Sequence, residues 1–186
     1  AILQEGIDVL VILNALRALG FRGRRRLKAG VRPGMSAQIR SEHDRLLPGI
    51  KRIRSIADRL EFLTVRELRF ELESVYRFLV QELLPHERAE DAHLYPIISE
   101  LIGGEDPTAT MSRTHVEIAH LVNALGRYLE DLSSEHPTRY EMSDLRRILY
   151  GLDAILRLHF AQEDESYVAL IDSELQAGGP ELRKAA

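Results

Sequence analysis

His86-Glu87-Arg88-Ala89-Glu90-Asp91 and His159-Phe160-Ala161-Gln162-Glu163-Asp164 are near-copies of one signature, a histidine four residues before a glutamate. A helix turns about 100° per residue, so position +4 comes back to within roughly 40° of its start. His86 therefore shares a helix face with Glu90, and His159 with Glu163. Asp164, at +5, is rotated by about 140° and reaches that face only through a local bend. One such pair is ordinarily a solvated contact along a helix surface. Here there are two, on alternate helical stretches, and the stretches between carry the single histidines His43 and His115. That conjunction is the layout of a two-metal site inside a helical bundle.

The surrounding sequence supplies the helices. Ile39, His43, Leu46, Ile50, Ile53 and Ile56 recur at helical spacing and predict a first helix over 36–60, with Pro48 expected to kink it. Thr64-Val65-Arg66-Glu67 is a capping-box sequence that opens a second helix reaching about residue 101, expected to bend or restart at Pro85. A third spans 110–132. A second capping box, Thr138-Arg139-Tyr140-Glu141, opens a fourth that runs to about 175, where Gly178-Gly179-Pro180 is expected to end it. No stretch alternates as a strand. The expected fold is all-α, an up-down-up-down four-helix bundle over 36–176 with an extra N-terminal helical segment. Residues 1–21 read as the end of a membrane helix or an amphipathic helix, 22–35 as a basic linker and 177–186 as a flexible tail.

Composition narrows the chemistry. The chain has no cysteine, so thiolate ligands, disulfides and iron–sulfur clusters are excluded, and any metal must be held by nitrogen and oxygen. The formal net charge of −4 hides an asymmetry. Arg22, Arg24, Arg25, Arg26, Lys28 and Arg32 cluster ahead of a more acidic remainder. A nucleic-acid-binding arm is disfavoured by that acidic body and by the lack of interleaved aromatics.

Imidazole with carboxylate suits iron, manganese or zinc, and two carboxylates placed to bridge suggest a dinuclear centre. His43, His86, Glu90, His115 and His159 are its candidate ligands, together with Glu163 or Asp164. His93, at +7 from His86, is almost in phase with it and is a candidate ligand or supporting partner. His120, at +5 from His115, is poorly placed, and His136 stands beside a proline in a predicted loop.

These residues resemble the hemerythrin-like, or HHE cation-binding, family over about residues 37–175. The family pattern is a histidine on the first helix, His-x-x-x-Glu on the second, a histidine on the third, and on the fourth a histidine followed by Glu at +4 or Asp at +5. Here those are His43, His86 with Glu90, His115, and His159 with Glu163 or Asp164; LLPHERAEDAHLYP and HFAQEDESYVALI extend the likeness. The resemblance implies two iron ions in an oxo- or hydroxo-bridged centre with dioxygen as ligand. Oxygen-carrying members place a further histidine four residues after the one on the third helix, and that position is Ala119 here. Iron-sensing members use a glutamate directly after the second-helix histidine, which here is Glu87. The resemblance therefore points away from simple oxygen carriage and towards an oxygen, iron or redox sensor that binds rather than catalyses. The alternative is a stand-alone di-iron oxidase, peroxidase-like or storage protein.

A shorter stretch, DVLVILNALRAL, is similar to the end of the last membrane helix of metal-transporting P-type ATPases, and the basic cluster after it suits a cytoplasmic flank. This second resemblance implies a C-terminal domain of such a pump on the cytoplasmic face of the membrane. A stand-alone protein would be cytoplasmic.

Overall fold

The computed structural model describes residues 30–132 and 137–182. The expected N-terminal helix, most of the basic linker, His136 and the last residues of the expected tail lie outside that range. Among the described residues the secondary structure is helical. Helix α1 is Met35–Arg59, closed by a 3₁₀ turn at Leu60–Phe62. Helix α2 occupies residues 65–102, α3 is Ala109–Asp131, and α4 occupies residues 139–182. Both expected capping boxes form. The Thr64 hydroxyl accepts from the Glu67 N–H while the Thr64 N–H donates to the Glu67 carboxylate, and Thr138 with Glu141 repeats the arrangement. Each such cap stabilises its helix by about 1 kcal/mol.

Pro48 sits within an uninterrupted α1. Helix α2 also does not restart at Pro85. It instead widens to one-residue-longer turns at Leu79–Leu83 and Glu90–Leu94, each followed within two residues by a proline. The residue before each proline donates five residues back, Leu84 to the Leu79 carbonyl and Tyr95 to the Glu90 carbonyl. A wide turn makes room where a proline ring would otherwise press on the preceding turn. Helix α4 has a third wide turn at Glu163–Val168, and it continues to Leu182 past the glycines expected to stop it.

Two apolar clusters fill the bundle. The larger includes Leu46, Ile50, Leu72, Leu83, Ile118, Leu149, Leu156 and Phe160. The smaller includes Ile39, Leu94, Tyr95, Ile98, Met111, Tyr167 and Ile171. Close helix approach in the larger cluster depends on Gly49, where a Cβ would overlap the Phe78 ring. Every helix passes from one cluster to the other through a polar step. These steps are His43 on α1, His86 to Glu90 on α2, His115 on α3, and His159 to Glu163 on α4. The four steps meet as one buried polar layer across the bundle.

Candidate metal centre

The layer holds His43, His86, Glu87, Glu90, His115, His159 and Glu163, all buried. Burying so many ionisable groups is costly unless they are paired or coordinate a metal. Their ligand atoms form two groups. His43, His86 and Glu90 make one; Glu87, Glu90, His115 and His159 make the other, and within each group the atoms lie within 4.8 Å of one another. Glu90 belongs to both. Its Oε1 lies 3.5 Å from His43 Nε2 and 3.2 Å from His86 Nε2, while its Oε2 faces His115 Nε2 at 3.6 Å. Glu163 also spans the groups, with Oε2 at 3.4 Å from His43 Nε2 and 3.5 Å from His159 Nε2. Glu87 Oε2 lies 2.6 Å from His115 Nε2 and 3.4 Å from His159 Nε2.

The inward atoms lack partners. His43 Nε2, His86 Nε2, both oxygens of Glu87 and of Glu90, and Glu163 Oε2 are buried with no hydrogen bond. His115 Nε2 and His159 Nε2 point at each other across 2.9 Å. Orphaned donor and acceptor atoms are rare in protein interiors. Converging on one space, such atoms could hold a metal ion, because each can offer a lone pair to a shared centre.

Outward ring nitrogens are held by a second set of carboxylates. His43 Nδ1 donates to Asp164 at 3.0 Å and His115 Nδ1 to Asp91 at 3.0 Å; His86 Nδ1 lies 3.5 Å from Glu42. A proton on Nδ1 leaves the Nε2 lone pair facing the centre. Asp91 follows Glu90 and Asp164 follows Glu163. Each copy of the signature therefore uses its glutamate inside the layer and its next-door aspartate to grip the lone histidine of a neighbouring helix.

Electrostatics follow from this packing. Burial acts to lower the His43 pKa, yet the Glu163 and Glu90 carboxylates outweigh it and raise it to about 10. His115 is raised to about 9, with burial opposed by Glu87 and Asp91. His86 is raised as well, by Glu90 against burial. Burial would raise Glu90, but His43 and His86 pull it down to about 2. Glu87 is lowered in the same way by His115 and His159.

His93 falls outside both groups and is exposed. In a regular helix it would lie within about 20° of His86. The wide turn Glu90–Leu94 carries one extra residue and sets the helix back by about 100°. The same shift brings in Tyr95, which sequence periodicity places on the far side of α2. Its hydroxyl donates to Glu163 Oε1 at 2.7 Å and lies 3.0 Å from His115 Nε2. Burial and Glu163 hold its phenol well above the usual range. In the sequence, Tyr95 is marked only as an aromatic directly before Pro96. His120 is exposed beside Glu117 on the surface of α3.

The family model described as the hemerythrin HHE cation binding domain matches residues 34–171. No curated protein and no solved structure matches the chain.

Proposed function

The chain belongs to the hemerythrin HHE cation-binding family, and from that premise we propose that it is a di-iron, dioxygen-reactive domain that senses oxygen, iron or redox state. The sharing of Glu90 and Glu163 between two ligand groups is the observation that carries this reading. His43 and His86 would hold one ion, Glu87, His115 and His159 the other, with Glu90 and Glu163 across both. In this reading Glu163 is the ligand on α4, and Asp164 orients His43. Glu87 stands in for the histidine absent at position 119. A bound iron pair supplies one-electron redox chemistry and a place for dioxygen to react.

The protein's own residues prepare that chemistry. Asp164 and Asp91 fix the tautomers of His43 and His115. Tyr95 donates a hydrogen bond to Glu163, which turns its other oxygen towards the histidines. Leu46, Ile118 and Phe160 on one side, with Leu94 and Tyr167 on the other, keep bulk water from the layer. Raised histidine pKa values mean that cations displace protons on binding.

The proposal extends to the N-terminus. Residues 1–32 would join the domain to the cytoplasmic end of a metal-transporting P-type pump, with the charge pattern of 22–32 as support. Among the described residues no helix is long and apolar enough to cross a membrane.

The test is iron analysis with an oxygen-exposure spectrum. Expected are two irons per chain, proton release on loading, and a new absorption band when the reduced protein meets oxygen. A chain that takes up no iron, or whose spectrum is indifferent to oxygen, overturns the reading. Recovery of the full-length protein outside the membrane fraction overturns the pump attachment alone.

A further inference from the structure

The polar layer is not equally enclosed. Helix α1 packs extensively along α4, as does α3, whereas the α1–α2 seam is lighter. Two clefts open along that seam. One, a cavity of about 430 Å³, has Arg32, Gln38, Glu42 and His93 in its wall and reaches Glu90. The other contains Glu42, Arg45 and Glu82 and reaches His86. Glu42 and Ala89 border both clefts. The seam thus leads from solvent to ligands of the His43–His86–Glu90 group. Glu90, where the first cleft ends, is only 5% exposed, and neither of its carboxylate oxygens has a hydrogen-bond partner.

We propose that the α1–α2 seam is the loading port of the centre, and that Glu42 and His93 at its rim form an outer site that captures a hydrated divalent cation before Glu90 and His86 draw it inward. This inference rests on the two-cation reading above. Size permits it, because six waters at about 30 Å³ each need roughly 180 Å³. Chemistry permits it as well. His93 is an exposed imidazole, and Glu42 has a carboxylate at the rim that accepts from Gln38 at 2.9 Å and lies 3.5 Å from His86 Nδ1. Glu42 therefore connects the rim to a ligand of the centre. Arg32 sits on the same wall and opposes cation capture, so the net attraction comes from Glu42 and Glu90 together. Ala89 is exposed and carries no polar side-chain atom, and it stands where the two clefts meet. Its small side chain keeps the seam open.

The experiment mixes metal-stripped full chain with Co²⁺ in a stopped-flow spectrometer, and then measures final stoichiometry by dialysis. Ala89→Phe narrows the seam without replacing a ligand, and His93→Ala removes the outer imidazole. Both should load slowly yet finish with the parental cobalt content. Loss of charge focusing predicts a slowing on the order of tenfold for Glu42→Gln, whereas His93→Ala slows loading by removing a nitrogen donor from the outer site. Val116→Phe, at an exposed site on α3, serves as the control and should load at the parental rate. Parental rates in both Ala89→Phe and His93→Ala overturn the port while leaving the two-cation reading intact. A parental chain that binds no cobalt at equilibrium overturns both. If Ala89→Phe misfolds by circular dichroism, His93→Ala decides the matter.

Discussion

Replacing Asp91 or Asp164 tests the central claim about the site, that the aspartate beside each shared glutamate grips a histidine on another helix. The bonds are 3.0 Å in both cases, and both aspartate side chains are about two-fifths exposed, at 40% for Asp91 and 41% for Asp164. Removing the outer partner of a metal-ligating histidine typically costs 10–100-fold in metal affinity. Solvent screening at this exposure puts the expected effect at the lower end. Asp91→Ala and Asp164→Ala should each weaken one cation by about tenfold, or about 1.4 kcal/mol. Asn keeps a neutral acceptor, and charge-assisted bonds are roughly twice as strong as neutral ones. The Asn variants should therefore lose about half that free energy. The histidines belong to different ligand groups but Glu90 joins those groups, so the losses in the double variant should depart from simple addition. Competition against a chromophoric chelator, titrated with Co²⁺, reads both affinities. Parental affinity in Asp91→Ala and Asp164→Ala, or a loss in Asp164→Asn equal to that of a missing ligand, would overturn this role for the two aspartates.

Further outcomes are expected. The metal-free protein should be most stable to urea between about pH 4.5 and 6.5. The raised pKa values of His43, about 10, and His115, about 9, contribute stability below 6.5 that is lost as pH climbs through those values; Glu90, held at about 2, contributes stability above 4.5 that is lost as pH falls. A midpoint that is flat from pH 6 to 10 would contradict this. Gly49→Ala should lower stability by about 1–3 kcal/mol through overlap with Phe78, and Phe78→Leu in the same chain should restore part of it, as measured by chemical denaturation. Leu72→Ala, fully buried in the larger cluster, should cost about 2–5 kcal/mol of folding stability with cation stoichiometry unchanged, which calorimetry and metal analysis together would check.

Much of the bundle could be read locally. Helical spacing of Ile39 to Ile56, the two capping boxes and the glycines at 103 and 104 are features of neighbouring residues, so the boundaries of α1 to α3 fell within a residue or two of expectation. The far end of α4 did not, because Gly178-Gly179-Pro180 weakens a helix without forbidding one more turn. The clustering of His43, His86, Glu90, His115 and His159 was also legible, since a +4 spacing on alternate helices has one geometric consequence.

Phase and partnership were not legible. A wide turn leaves little mark on hydropathy, yet the one at Glu90–Leu94 turned His93 out to solvent and swung Tyr95 in beside Glu163. Choice between Glu163 and Asp164 needed the position of α1, because Asp164 meets His43 across 121 residues of chain and Asp91 meets His115 across 24. Which side chains are available follows from composition, and which of them share a helix face follows from a period of about 3.6 residues, so both could be read along the chain. Which of the two acids faces the layer and which grips a ring from outside depends on how one helix is rotated against its neighbours, and that rotation exists only in the packed bundle.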